Sequence, residues 1–407
     1  MYNLARMLRA VHDGGGARTR AQLTRQLSLA RGTATVLVRE LAGRRLITEL
    51  AGPAAPAAQR SRGRPTGVPS PHPDGPVALA VDLRDDSFSV AAFELTGRGR
   101  PLEQRPRSSL TGAGMLAEVA AVLTEHRAGF GDRVVGIGIA VPSPVSDGRM
   151  VEPTLPDWRG IDVAAALGPG FKTVLIGNDA TLAGLAEARR GALHGLPAAL
   201  HLHVATGIGG VLLAGGRPIT GVSGAAGEFG HMPLTGGTLP CRCGSTGCWE
   251  LDAGTRGLLR RAGRSSAEDR SSGGDRMEGD RMEEAARIIA AAPADPVAAA
   301  ALADVADALG RGVGALVNAH DPEAIGLSGL AARVYHAAPA AVQSGYQATL
   351  MRFHRVAPPP LVPSRLGDLG TLTGAAELVF DEFLTPRGLS VWHPASENSD
   401  DLAANPW

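Results

Sequence analysis

The chain has 407 residues, and its 40 Lys plus Arg are matched by 40 Asp plus Glu. That length accommodates two or three domains and a core that folds without covalent staples, while the zero net charge excludes nucleic-acid binding through overall basicity, so any such role must be local. Aromatic residues make up only 4 % of the chain, so the core must rest on Ala, Val, Leu and Ile.

Leu4, Met7, Leu8 and Val11 recur at helical spacing, and Gly14–Gly16 ends that helix. Thr19 reads as the N-cap of a second helix with Leu23 and Leu27 on one face. After the turn Ser28–Ala30, a third helix from Gly32 to Ala42 is expected to bury Val36, Leu37 and Leu41. This is a helix-turn-helix pattern, and Leu46–Leu50 reads as a strand opening a wing, which makes 1–52 a winged helix-turn-helix DNA-binding domain. In such a motif the start of the second motif helix faces base edges in the major groove, which nominates Arg31, Thr33 and Thr35, with Arg39 nearer the backbone. Residues 53–76 form an Arg/Pro/Gly-rich wing and linker, in which Arg62 and Arg64, flanking Gly63, suit a minor-groove arm.

From Val77 the pattern is α/β. Strands are expected at Val77–Leu83, Phe88–Leu95, Val134–Val141 and Val174–Gly177, with helices at Leu116–Arg127 and Ala180–Arg190, forming a first lobe over 77–190. A second lobe, 191–385, has strands at Leu200–Ala205, Val211–Ala214 and Ala324–Leu327. Its helices are Met282–Ala291, Val297–Ala319 and a closing Thr373–Phe383, and its polar stretch 263–282 reads as an exposed loop. The tail 386–407 is expected to be disordered. Two runs of alternating strands and helices predict a two-lobed, doubly wound α/β protein with a cleft between the lobes, and no short-period repeat is evident.

The start of the chain has no basic flank followed by an apolar run, and the apolar stretch Pro197–Val204 is too short for a bilayer and is interrupted by His201 and His203. A cytoplasmic protein with no membrane partner is expected. All 3 Cys fall between Cys241 and Cys248, which reads as a metal site rather than a disulfide framework. With His231 they supply one imidazole and three thiolates, a closed tetrahedral set for structural zinc.

The segment Gly224-Ala225-Ala226-Gly227-Glu228-Phe229-Gly230-His231, followed by Cys241-Arg242-Cys243-Gly244-Ser245-Thr246-Gly247-Cys248-Trp249-Glu250, resembles the signature of the repressor–open-reading-frame–kinase (ROK) family. The resemblance covers most of the chain: Gly63-Arg64-Pro65 in the head, Val135 to Val145, Ile176-Gly177-Asn178-Asp179-Ala180, and Thr206-Gly207-Ile208-Gly209 all match family motifs. It implies an actin-like, ribonuclease-H-like sugar-kinase fold behind the winged helix. It also implies that Asn178, Asp179, Glu228, His231 and Glu250 contact a sugar, with Asp179 matching the general base of the kinases.

One motif departs. Where the family's kinases have Asp-Ile-Gly-Gly-Thr, this chain has Asp82-Leu83-Arg84-Asp85-Asp86-Ser87, so side chains replace the glycines that would cradle phosphate. Gly326-Leu327-Ser328-Gly329-Leu330 likewise replaces the glycine-rich adenosine loop. The expectation is a degenerate kinase acting as a regulator. It would bind operator DNA as a homodimer or homotetramer and respond to a sugar or sugar phosphate, with cleft closure moving the heads through the linker. An active sugar kinase with an appended head and a DNA-binding protein whose body only dimerises remain as alternatives.

Overall fold

The computed structural model describes residues 1–50, 67–109, 111–151, 158–168, 170–171, 173–265 and 278–393. Arg62, Arg64 and most of the expected linker lie outside the described residues.

The head comprises α1 (Tyr2–Asp13), α2 (Arg20–Gln26), α3 (Arg31–Gly43) and an antiparallel hairpin of β1 (Ile47–Leu50) and β2 (Val68–Pro71). Thr19 caps α2 in a reciprocal box with Gln22, so two otherwise unpaired N–H groups of the first turn are satisfied. α3 buries Ala34, Leu37, Val38 and Leu41, one stripe at helical spacing. Val36 falls outside that stripe and is 61 % exposed, which corrects its expected place in the core.

The first lobe is a sheet in the order β5-β4-β3-β6-β9. Its strands are β3 (Val77–Leu83), β4 (Ser87–Glu94), β5 (Gly99–Pro106), β6 (Val134–Val141) and β9 (Val174–Asn178). α4 (Gly112–Phe130), the small hairpin β7 (Val145–Ser146) and β8 (Arg149–Met150), α5 (Val163–Ala166) and α6 (Asp179–Arg190) complete it. β5 is a polar, half-exposed edge strand rich in Arg, Glu, Gln and Pro, and the sequence pattern assigned no element there.

The second lobe repeats the connectivity in the order β12-β11-β10-β13-β14, from β10 (Ala198–Val204), β11 (Ile208–Ala214), β12 (Arg217–Ile219), β13 (Ala324–Gly329) and β14 (Leu361–Pro363). Each sheet is an antiparallel three-strand meander continued by two parallel strands, a duplication invisible as sequence repetition. The helices are α7 (Glu250–Ala253), α8 (Thr255–Arg261), α9 (Glu278–Ala291), α10 (Pro296–His320), α11 (Leu330–Ala337), α12 (Pro339–Thr349), α13 (Arg352–Val356), α14 (Gly370–Phe383) and α15 (Pro386–Ser390). Among the described residues no single helix is long and apolar enough to cross a membrane.

β3 is buried on both faces, and its sequence shows why. Val77, Leu79, Val81 and Leu83 pack with α4, whereas Ala78 and Ala80 belong to the cluster with α14. Small residues are required on that second side because α14 approaches closely: a Cβ on Gly138 of β6 would lie 2.0 Å from the Ala375 carbonyl oxygen. The same cluster runs on without a break into the head through Leu4, Leu8, Leu41 and Ile47. Residues 386–393 are therefore ordered where a disordered tail was expected, and the rest of that tail lies outside the described residues. Thr385 Oγ1 caps α15, Leu389 and Trp392 are buried in the shared core, and the Trp392 indole donates to the Arg44 carbonyl at 2.8 Å. Two separated apolar residues carry no periodic signal, so only the packing reveals the attachment.

Candidate functional site

A cleft of about 580 Å³ between the lobes is lined by Pro142–Pro144, Asn178 and Asp179 from the first lobe and by His203, Thr206–Gly209, Glu228, His231 and Glu250 from the second. The five expected sugar contacts thus converge on one cavity.

β9 ends at Asn178, which is the N-cap of α6: its Oδ1 accepts from Thr181 N at 3.0 Å, and its Nδ2 donates to Asp179 Oδ1 at 2.9 Å. Asp179 Oδ1 also accepts from Ala180 N at 2.7 Å, so both of these bonds fall on one carboxylate oxygen. Burial, with the negative charges of Asp82 and Glu228, pushes the Asp179 carboxyl up to about 7 against the Ala180 N–H and Arg84. Glu228 opens the 3-10 turn Phe229–His231, and burial and Glu250 raise its pKa as well. Glu250, the first residue of α7, packs against Gly207, where a Cβ would lie 2.6 Å from Glu250 Oε2; a side chain at position 207 would displace the carboxylate. The Thr206 hydroxyl is buried with no hydrogen-bond partner among the described residues, and Thr206 lines the cavity. A buried donor of this kind calls for an acceptor from a ligand or water. Carboxylates, an amide and a hydroxyl around one cavity match a polyhydroxyl ligand, because each such group left unpaired costs on the order of 1–3 kcal/mol.

His231, Cys241, Cys243 and Cys248 bring their donor atoms within 4.8 Å of one another. Cys241 Sγ lies 3.6 Å from His231 Nδ1, and Cys243 Sγ lies 3.6 Å from Cys248 Sγ. A zinc–sulfur bond of about 2.3 Å in a tetrahedron requires sulfur–sulfur edges of roughly 3.8 Å, so the donor set fits the ion. Gly247, at φ +74 with its Cα side against the Gly237 carbonyl, allows the turn that brings Cys248 inward. When bound, zinc would cross-link this loop and hold His231 and Glu250 in place.

Two features were missed in the sequence. His201 and His203 point from β10 to one hydroxyl, Ser328 Oγ on β13, each at 2.9 Å. Burial and then Arg84 push His203 down to about 4, so it faces the cleft as a neutral group; burial and His203 take His201 to about 3. Their spacing, two His residues at i and i+2 on an otherwise apolar strand, was the available signal.

At the turn between β3 and β4, Arg84 folds back onto Asp82, with Nε and Nη2 at 3.1 and 3.0 Å from Asp82 Oδ2. Asp86 Oδ2 accepts from Gly279 N at 2.5 Å, which ties the turn to the first turn of α9 in the other lobe. In the head, Arg31, Thr33, Thr35 and Arg39 all lie on the exposed face of α3, and exposed Val36 joins them.

The ROK family model matches residues 78–382 of this chain. Kanosamine kinase of Amycolatopsis mediterranei (strain S699) is 32 % identical over 268 residues, 65 % of this chain and 82 % of that protein. Xylose repressor of Bacillus subtilis (strain 168) is 33 % identical over 129 residues, 31 % of this chain and 34 % of that protein. Among solved structures, a ROK family transcriptional regulator described as a homologue of the E. coli MLC protein superposes with a TM-score of 0.71 and 22 % identity, covering 96 % of this chain and 98 % of that one.

Proposed function

Because the chain belongs to the ROK family, we propose that it is a DNA-binding regulator, a repressor of carbohydrate genes, whose operator affinity responds to a sugar or sugar phosphate in the interlobe cleft. The observation that carries this reading is the head. We read its three helices and hairpin as a winged helix-turn-helix, a reading supported by Arg31, Thr33, Thr35 and Arg39 on the outward face of α3 and by α1 built into the core of the first lobe. A purely catalytic sugar kinase has no use for such a head. The fold likeness to a ROK regulator, which spans nearly the whole chain, supports the same reading. Asn178, Asp179, Glu228, His231 and Glu250 hold the effector; zinc on His231, Cys241, Cys243 and Cys248 is structural. The protein acts in the cytoplasm as a homodimer or homotetramer whose paired heads read two half-sites.

Phosphoryl transfer is absent in this reading. A first phosphate loop works through free backbone N–H groups, and here Arg84 and Asp85 stand in the glycine positions, with Asp85 facing the cleft. The second reading, an ATP-dependent sugar kinase with an appended head, draws on the buried Asp179 carboxyl at about 7, a value suited to a general base, and on the likeness to kanosamine kinase.

One pair of measurements separates the two. Mobility shifts on duplexes enriched from a random pool are titrated with glucose, xylose, N-acetylglucosamine, kanosamine and their phosphates. Coupled ADP release is followed with the same sugars and ATP. A sugar-dependent change in DNA affinity of five-fold or more, without turnover, is expected, since allosteric couplings run to about 1–3 kcal/mol. Steady turnover with any of these sugars would overturn the regulator-only reading.

A further inference from the structure

α6 begins in the cleft and ends at the head. Asn178 and Asp179 form its N-terminus in the cavity, and Arg189 and Arg190 form its last turn. Twelve helical residues span about 18 Å, and a helix of that length moves as a rigid element.

The far end of α6 is held by a buried junction of three segments. Arg190 Nε donates to Glu377 Oε1 on α14 at 2.7 Å, and Arg190 Nη1 donates to the His12 carbonyl of α1 at 2.6 Å. Arg190 Nη2 and Glu377 Oε2 approach His12 Nε2 at 2.6 and 2.9 Å, while the His12 Nδ1–H donates to the Leu95 carbonyl. His12 and Glu377 are 0 % and 1 % exposed. On the partly exposed side, Arg189 donates to both Asp381 oxygens, and Arg9 of α1 pairs with the same carboxylate. α6 and α14 meet backbone to backbone, since a Cβ on Gly374 would lie 2.0 Å from the Leu182 carbonyl oxygen. α1 in turn packs in one cluster with Leu37 and Leu41 of α3, the helix that carries the DNA-facing residues.

We propose that α6 carries the state of the sugar cleft to the head, with Arg190, Glu377 and His12 as the coupling junction. The route is a continuous packed path through the body rather than the linker at 53–76. A shift of the α6 N-terminus when Asn178 and Asp179 engage a ligand displaces Arg190, and a junction this closely packed around buried His12 and Glu377 cannot absorb that displacement without moving α1 or exchanging partners. The inference rests on the regulator reading above.

The test uses the full chain, the sugar of the panel that raises its melting temperature most, and the selected duplex. Hydrogen exchange of residues 2–26 is recorded with and without that sugar. Arg190→Gln should keep the sugar-induced melting shift and keep sugar-free DNA affinity within about three-fold. It should reduce the sugar effect on DNA affinity from five-fold or more to less than two-fold. Its exchange change in 2–26 should disappear as well. Asp381→Asn, on the exposed side of the junction, serves where Arg190→Gln does not fold, with a smaller loss of coupling in the same direction. Folded variants that keep the wild-type sugar effect overturn the proposal and leave the regulator reading standing. If wild type binds the sugar but no DNA, the regulator reading fails, and exchange alone decides the junction. A sugar-induced change in 2–26 that Arg190→Gln removes supports it, and a change that survives, or none in wild type, overturns it. If no sugar of the panel binds, both fail.

Discussion

Nε2 of His231 lies 3.9 Å from Glu228 Oε2, while the opposite ring nitrogen lies 3.6 Å from Cys241 Sγ. One imidazole therefore faces the cysteine cluster on one side and a cleft carboxylate on the other. On the proposed reading the metal and effector sites share this residue, and a carboxylate beside a ligating histidine would help to orient it.

Losing the metal should then weaken the sugar site. Cys243→Ser is expected to lower bound zinc from about one per chain to near none and to weaken sugar binding by roughly 10–100-fold. Elemental analysis and calorimetry on the same preparation check this. Unchanged zinc content would remove the metal assignment.

Asp179 supplies a pH dependence with a defined sign. Its carboxyl sits at about 7 in the folded chain against 3.8 as its ordinary value. Between those two values the folded state holds a proton that the unfolded state has released, so this group's contribution to stability is full below pH 3.8 and is lost as pH rises through 7. Asp179→Asn should leave stability unchanged at pH 3.5 and raise it by on the order of 4 kcal/mol at pH 8. If the sugar hydroxyls donate to the carboxylate, wild-type affinity should rise with pH up to about 7 and then level, with the slope missing from the variant; melting from pH 3.5 to 8 and calorimetry from pH 5 to 8 measure the two effects.

The exposed face of α3 predicts two kinds of DNA effect. Arg31→Ala removes a candidate bidentate contact to guanine and should cost about 1–3 kcal/mol of operator affinity. Val36→Ala, at a position 61 % exposed, should leave the melting temperature within a degree or so, yet weaken binding to sites whose contacted base is thymine, because Val36 offers a methyl surface to a thymine methyl. Fluorescence anisotropy on thymine and uracil versions of the selected duplex distinguishes the two, and a loss of fold stability in Val36→Ala would return that residue to the core.

Trp392 is 6 % exposed and edge-on to Phe383 at 5.8 Å, and its indole donates to Arg44 of the head. Trp392→Ala should destabilise the head and first lobe together by about 3–5 kcal/mol. Chemical denaturation followed by circular dichroism would show a lower midpoint, and an unchanged midpoint would mean that the tail is not part of this core.

The local pattern alone marked out the head helices, the Thr19 cap and the four-donor metal cluster, and the family resemblance added the Asn178–Asp179 pair at a strand-to-helix turn. Each of these depends on residues close in the chain, whose spacing is itself the signal. The tertiary structure decided what depends on distant partners. It turned Val36 outward, because the side of α3 that is buried is set by α1 and the first lobe, not by α3 itself. It anchored Leu389 and Trp392, which have no periodic neighbours. It joined His12 to Arg190 and Glu377, 178 and 365 positions away, and so made the head part of the body rather than a module on a tether. A lone buried His, Arg or Glu has no meaning in the sequence until folding supplies the counter-charge that makes its burial affordable.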